Sequence, residues 1–169
     1  MQVNANQQTT IDIHRIVKQY HTELLRVAFF YLKDRQLAED AVQEAFINVY
    51  KYQHSFRGES SEKTWIVRIT INACKQMLRS SWVRNVDSEE ALAHIEMEDD
   101  SVKVDNTVII EVMKLPIKYK DVILLFYYQD FTIKEIARAL EISENAARVR
   151  LNRARTMLNK TLKEWYFDV

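Results

Sequence analysis

Apolar residues recur every three to four positions along most of this chain, which is the spacing of amphipathic α-helices. In the first half, the pattern predicts helices over residues 11–32, 37–50 and about 61–79. A polar loop at 53–61 separates the second of these from the third and holds the chain's one glycine. Three helices with short connections predict a small bundle.

The second half of the chain contains two helical patterns joined by a short turn. Thr132 and Glu135 have the spacing of a capping box, and Ser143 can cap the helix that follows. The second helix has an apolar stripe that predicts its buried face, made of Ala147, Leu151, Ala154 and Leu158. From Glu144 to Lys160 there are five Lys or Arg and one acidic residue. The layout is typical of a helix-turn-helix whose second helix enters a DNA major groove, although a solvated basic helix has the same pattern.

Composition favours an all-α fold with two small helical domains, because the 169 residues include one glycine and one proline. The net charge of zero hides +4 over residues 1–85, −7 over 86–106 and +3 over 107–169. Two basic blocks separated by an acidic one are compatible with a nucleic-acid partner. We therefore expect a disordered tail at 1–10, domains at 11–85 and 107–169, and an extended acidic linker at 86–106.

Several classes of function find no support in the sequence. The longest apolar run, residues 122–128, is too short to span a bilayer, and the polar start lacks the apolar region of a secretory signal. The lone Cys74 indicates packing, and four scattered histidines give no metal-ligand spacing. There is also no glycine-rich phosphate loop. From the missing motifs we expect a protein that is not an enzyme and needs no cofactor or metal. From the missing membrane span and secretory signal we expect it to be cytoplasmic.

Basic and aromatic residues are interleaved through the loop and the third helix. They are Tyr50, Tyr52, His54, Phe56, Arg57, Lys63, Trp65, Arg68, Lys75 and Arg79. Single-stranded nucleic acid is often held by aromatic rings beside a basic groove. Aromatic residues at helical spacing also form cores, and Trp65 is predicted as a core position of the third helix. Both interpretations of the cluster stay open at this point.

Two segments together are similar to one known family. Residues 34–79, with the sequence DAVQE at 40–44 as the sharpest match, resemble the promoter-melting domain (region 2) of bacterial extracytoplasmic-function (ECF) sigma factors of the sigma-70 family. Residues 115–158 resemble the C-terminal promoter-binding domain (region 4) of the same proteins. Their order, separation and coverage of nearly the whole chain make the pair far more specific than either segment.

The resemblance implies a sigma factor, which directs core RNA polymerase to specific promoters and assists promoter melting and transcription initiation. It assigns Asp40, Gln43 and Glu44 to docking on the clamp coiled coil of the largest polymerase subunit. It assigns the downstream promoter element to Tyr52, Phe56, Arg57, Lys63, Trp65, Arg68 and Asn72, and the upstream element to Asn145, Arg148, Val149, Asn152 and Arg153. The acidic linker would pass toward the RNA exit channel. The implied partners are core RNA polymerase, promoter DNA and an anti-sigma factor, often membrane-anchored in this family, with no membrane insertion of the chain itself.

The recognition helix departs from the family's usual pattern in two places. Many relatives carry Gly-Thr-Val where this chain has Asn145, Ala146 and Ala147, so we expect different contacts from the first turn. Many carry a small polar residue at the position of Val149, which can pack on a thymine methyl group but cannot hydrogen-bond a base.

A second class of function explains the C-terminal half equally well. A helix-turn-helix transcription regulator would join that half to a helical sensor or dimerisation domain. Such a regulator needs a ligand pocket or a phosphoacceptor in the first half, whereas a sigma factor needs the dock at 40–44 and an aromatic loop.

Overall fold

The computed structural model of the chain describes residues 12–79 and 106–167. These two ranges contain seven α-helices, one 3₁₀ turn and no strand. The helices are α1 (Ile13–Leu32), α2 (Arg35–Tyr52), α3 (Glu62–Arg79), α4 (Asn106–Lys114), α5 (Ile117–Tyr127), α6 (Ile133–Leu140) and α7 (Glu144–Phe167), and the 3₁₀ turn is Gln53–Ser55. The predicted all-α fold is confirmed. The predicted tail at 1–10 and nearly all of the predicted linker lie outside the described residues.

Polar side chains determine where the first three helices begin. Asp12 accepts hydrogen bonds from two backbone N–H groups of the first turn of α1, at 3.0 and 3.2 Å. Asp34 caps α2 through a bond of 2.8 Å, and α2 consequently starts at Arg35, two residues before the predicted helix. Ser61 accepts a bond of 3.1 Å at the start of α3, as its position predicts.

Helices α1, α2 and α3 pack against one another as the predicted three-helix bundle. Its centre consists of apolar side chains that are fully or almost fully buried, among them Ile16, Leu24, Val42, Val49, Ile66, Ile71 and Cys74. The packing role predicted for Cys74 is confirmed, and burial raises the pKa of its thiol to about 12.

Helices α4 to α7 form the second bundle, in which α4, α5 and α6 all contact α7. Its buried side chains include Val112, Leu124, Leu125, Ile136, Ala147, Leu151 and Ala154. The sequence interpretation did not predict α4, which begins at Asn106, the last residue assigned to the linker. Helix α4 forms because Ile109, Val112 and Met113 share one face and are buried.

The two bundles contact each other along α3 and α6. Polar and charged side chains make several contacts across this boundary, and the rings of Phe30 and Tyr128 lie 5.1 Å apart across it. Because α3 carries several of the predicted DNA-binding residues, the boundary bears directly on function.

Candidate nucleic-acid interface

The predicted helix-turn-helix is present in α6 and α7. Thr132 Oγ1 accepts from the N–H of Glu135 at 3.3 Å, and Glu135 Oε2 accepts from the N–H of Thr132 at 2.9 Å, so the capping box is complete. The hydrogen bond from the Thr132 backbone lowers the pKa of Glu135. The turn needs no glycine, because Glu141 adopts the left-handed conformation (φ 56°) and the N–H of Ile142 donates to the carbonyl oxygen of Ala137 at 2.9 Å.

Helix α7 presents to solvent the face that the sequence assigns to upstream promoter DNA. Ser143 Oγ accepts from the N–H of Ala146 at 3.1 Å and caps the helix. Ala147, Leu151 and Ala154 are buried, which turns the opposite face outward. The five assigned residues are all exposed there: Asn145, Arg148, Val149, Asn152 and Arg153. Amide, guanidinium and aliphatic groups on one exposed helix face are the groups that read base edges in a major groove.

Aromatic residues of α5 hold two arginines of α7. A hydrogen bond from Arg153 lowers the pKa of Tyr119. Arg155 Nε donates to Tyr127 Oη at 2.8 Å, and its guanidinium lies 5.0 Å from the ring centre of Phe126 and 5.5 Å from that of Tyr127. Arg155 therefore fastens α7 to α5. Sequence reasoning did not identify these partners, although the adjacent aromatic pair at 126–127 was a signal available to it.

Helix α2 carries the residues assigned to polymerase docking. Asp40, Gln43 and Glu44 are all exposed, as predicted. Asn48 Nδ2 donates to Glu44 Oε1 at 3.1 Å, which orients that carboxylate without neutralising it. Ile47, which is 47% exposed, adds an apolar side chain to the same face. The face combines negative charge, amide groups and one aliphatic contact, which suits a basic protein partner.

Aromatic side chains lie at the end of α2 and in the loop between α2 and α3. Tyr52 is 58% exposed, and the ring of Phe56 lies 5.1 Å from that of Trp65 at an interplanar angle of 37°. Trp65 itself is buried, so its predicted core position is confirmed, and it supports Phe56 instead of offering its own face to a base. Gly58 has φ +70°, a conformation that L side chains rarely adopt, which explains a glycine in this loop.

Four further residues assigned to the downstream element differ in their surroundings. Arg57 and Asn72 are exposed. Lys63 Nζ donates to the carbonyl oxygen of Gln129 at 3.2 Å and lies 5.5 Å from a ring centre of the second bundle, that of Phe131. Arg68 faces Glu141 of the second bundle at 3.5 Å. The structure thus brings Lys63 and Arg68 together with the C-terminal bundle, which their spacing in the sequence did not predict.

The described residues contain no group of three or more His, Cys, Asp or Glu side chains that could hold a metal ion. None of the described helices is long and apolar enough to cross a membrane.

Comparison with known proteins places both halves of the chain in one family. Residues 16–84 match the family model of sigma-70 region 2, and residues 111–158 match that of sigma-70 region 4. The ECF RNA polymerase sigma factor SigX of Bacillus subtilis is 28% identical over 155 residues, covering 85% of this chain and 80% of that protein. The RNA polymerase sigma-H factor of Pseudomonas aeruginosa is 28% identical over 163 residues, covering 88% and 84%.

A solved structure has a similar fold. It is the sigma factor RpoE of Bartonella quintana in its complex with the anti-sigma factor NepR, at a TM-score of 0.74 and 21% identity, covering 90% of this chain and 97% of that one. Region 2 precedes region 4 in this chain, which is the order that the sequence resemblance implied. On this evidence the chain belongs to the sigma-70 family, as an RNA polymerase sigma factor of the ECF type.

Proposed function

We propose that each of three exposed surfaces performs one task of a promoter-specificity subunit. The face of α2 docks on core polymerase, the loop at 53–61 and α3 bind the melted downstream element, and α7 binds the upstream element. The protein works in the cytoplasm by binding alone and is not an enzyme. The observation that carries the proposal is the outward face of α7, with all five assigned residues on it, on a chain that also carries the α2 dock.

The α2 face supports docking through charge and exposure. Asp40 and Glu44 stand one helical turn apart and are both exposed, with Gln43 between them. Electrostatic complementarity of this kind raises the rate of association and fixes the register of two partners. Ile47, exposed on the same face, would contribute an apolar contact beside them.

The loop supports binding of a base taken out of the DNA stack. Unstacking costs a few kcal/mol, which stacking on an aromatic ring and hydrogen bonds to the base edge recover. Phe56 and Tyr52 supply the rings, with Trp65 behind Phe56. Asn72 supplies an amide that can both donate and accept.

The upstream element would be read by α7 through two kinds of contact. Asn152 can pair with the edge of adenine, and Val149 can pack on a thymine methyl group. Arg148 and Arg153 can reach phosphates or guanine edges. We also propose an anti-sigma factor as the regulatory partner, because the similarly folded RpoE was crystallised with one.

Run-off transcription with purified core polymerase tests the proposal. The full chain should produce transcripts from promoters that core polymerase alone does not use. Reversing the charges in the double variant Asp40→Lys with Glu44→Lys should abolish both transcription and co-elution with core polymerase. Glu39→Lys is the matched control, since it reverses one charge on the same helix about 100° away from Asp40 and should be active. Transcription absent with the parent chain, or retained by a well-folded double variant, would contradict the assignment.

A further inference from the structure

Charged contacts join the first turn of α3 to α1. Arg15 Nη1 and Nη2 donate to Glu62 Oε1 and Oε2 at 2.9 and 2.6 Å, so the guanidinium and the carboxylate meet through two hydrogen bonds. Tyr20 Oη donates to Glu62 Oε1 at 3.3 Å. Lys63, the next residue of α3, pairs with Glu23 at 2.6 Å. Helix α1 therefore holds α3 at two neighbouring residues.

The two ion pairs have opposite polarity. Along α1 the cation Arg15 precedes the anion Glu23 by eight residues, or about 12 Å. Along α3 the anion Glu62 directly precedes the cation Lys63. If the first turn of α3 rotated so that Glu62 approached Glu23, two carboxylates would meet, which is unfavourable. Exposed ion pairs contribute little to stability, but a bidentate pair of arginine and carboxylate fixes geometry. The arrangement therefore determines how the first turn of α3 is oriented.

The same turn supports the aromatic loop. Ser61, the last residue of the loop, caps α3 by accepting from the N–H of Thr64 at 3.1 Å, and its carbonyl oxygen accepts from the N–H of Trp65 at 3.1 Å. The buried Trp65 packs against Phe56, with 5.1 Å between the ring centres. Because Glu62 lies between Ser61 and Trp65 in the chain, a displaced first turn would move both the end of the loop and the support of Phe56.

We propose that Arg15 and Tyr20 are positioning residues for the capture of an unstacked base, because they hold Glu62 and through it the ring of Phe56. They act through the protein and not by touching DNA. Discrimination between bases depends on the geometry of contacts at the base edge, whereas much of the total affinity comes from phosphate contacts. Loss of the Glu62 contacts should therefore reduce discrimination more than affinity. The inference rests on the proposed function of the loop at 53–61.

The test uses the full chain bound to core polymerase. The probe is a library of DNA duplexes whose non-template strand is single-stranded and randomised over the downstream element. Sequencing the retained strands gives the base preference at each position, and the retained fraction gives the affinity. Circular dichroism and co-elution with core polymerase establish that each variant is folded and bound.

Four variants address the contacts of Glu62, and a fifth is the control. Arg15→Gln and Glu62→Gln each remove the ion pair, and a double variant removes both partners. Tyr20→Phe removes one hydroxyl and keeps the ring, so it preserves packing. Lys114→Gln is the matched control, because it breaks an exposed ion pair of 2.7 Å with Glu111 on α4, in the other bundle.

Arg15→Gln and Glu62→Gln should each reduce the base preference at one position of the single strand by roughly threefold to tenfold, within the range of coupling between contacting side chains. Preferences at the other positions should stay the same. The double variant should lose no more than either single variant, because both substitutions remove one shared contact. Tyr20→Phe should reduce the preference by less, and Lys114→Gln should not change it.

Three results would overturn the inference. One is a base preference in Arg15→Gln and Glu62→Gln equal to that of the parent. Another is an equal loss of affinity for all sequences, which would show weakened binding without a change in positioning. The third is a loss in the double variant equal to the product of the two single losses, which would show that the two residues act separately. Failure of the proposed function is a different result, namely a parent base preference in the single strand that survives Phe56→Ala, and it would remove the basis of the inference as well.

Discussion

Removing either of two side chains on α7 should change a different property of the protein, base preference in one case and stability in the other. Asn152 and Arg155 are three residues apart, and both are exposed. The Arg155 guanidinium is hydrogen-bonded to Tyr127 and lies 5.0 and 5.5 Å from the centres of the two neighbouring rings. Asn152, by contrast, lies on the outward face, where its amide is available to a base. We predict that Asn152→Ala changes base preference without changing stability, and that Arg155→Ala changes stability without changing base preference.

The magnitudes follow from these contacts. An exposed cation–π contact contributes about 0.5–1 kcal/mol, and a net hydrogen bond about 0.5–1.5 kcal/mol. Since the two ring contacts share one guanidinium, Arg155→Ala should lower the free energy of unfolding by roughly 1–2 kcal/mol. An amide paired with adenine discriminates by about 1–3 kcal/mol, so Asn152→Ala should reduce preference at one base pair by roughly 5- to 150-fold.

The assays are urea unfolding of the full chain and selection of promoter variants by the chain bound to core polymerase. Val149→Ala gives an internal reference, because it should relax a preference for thymine by losing apolar contact alone. Unaltered base preferences in Asn152→Ala together with lost preferences in Arg155→Ala would show that α7 is rotated on the DNA away from the proposed orientation. An unchanged unfolding midpoint in Arg155→Ala would show that the contacts of Arg155 with Phe126 and Tyr127 do not stabilise the bundle.

Two further predictions concern pH. Burial, with Lys33 nearby, lowers the pKa of Lys120 from 10.5 to about 8, and Asp121 opposes the shift. Between about pH 8 and 10.5 the unfolded chain therefore binds more protons than the folded chain. The free energy of unfolding should consequently rise as pH increases through this range. Lys120→Met should unfold at higher urea at pH 7 and show a smaller rise, and an unchanged pH profile would contradict this. The pKa of Glu135 is lowered from 4.5, so the stability contributed by its carboxylate is present above that value and is lost as pH falls through the folded pKa. Glu135→Gln should therefore lose less thermal stability in acid than the parent does. An equal loss in both proteins would exclude the capping box as the source of the acid dependence.

The local parts of the fold could be predicted because their causes are local. Thr132 with Glu135 and Ser143 mark helix starts through residues three positions apart, and both caps are present. The buried stripe of α7 follows from helical periodicity in the same way. The unusual turn at Glu141 was less visible, since the sequence offered no glycine for the left-handed position.

The contacts between the bundles could not be predicted from spacing. Tyr31 and Asp121 are 90 residues apart, and nothing in a helical pattern indicates which buried polar groups will meet. The same limit explains why Lys63 and Arg68 looked like free DNA contacts. The sequence was compatible with Trp65 as a core residue and as a DNA contact. Its side chain is buried in the structure, which favours the core position.

Two alanines on the hidden side of α7 determine how far its outward face stands from the rest of the bundle. Ala147 and Ala154 are both 0% exposed, and because protein interiors are close-packed, a larger side chain there would have to displace its neighbours. Methylene groups added there would strain the packing by about 1–3 kcal/mol or displace the helix outward. The depth to which α7 can enter a DNA groove is therefore governed by side-chain volume at positions that never meet a base. Variation at these two alanines could adjust promoter affinity while every contacting residue stays the same.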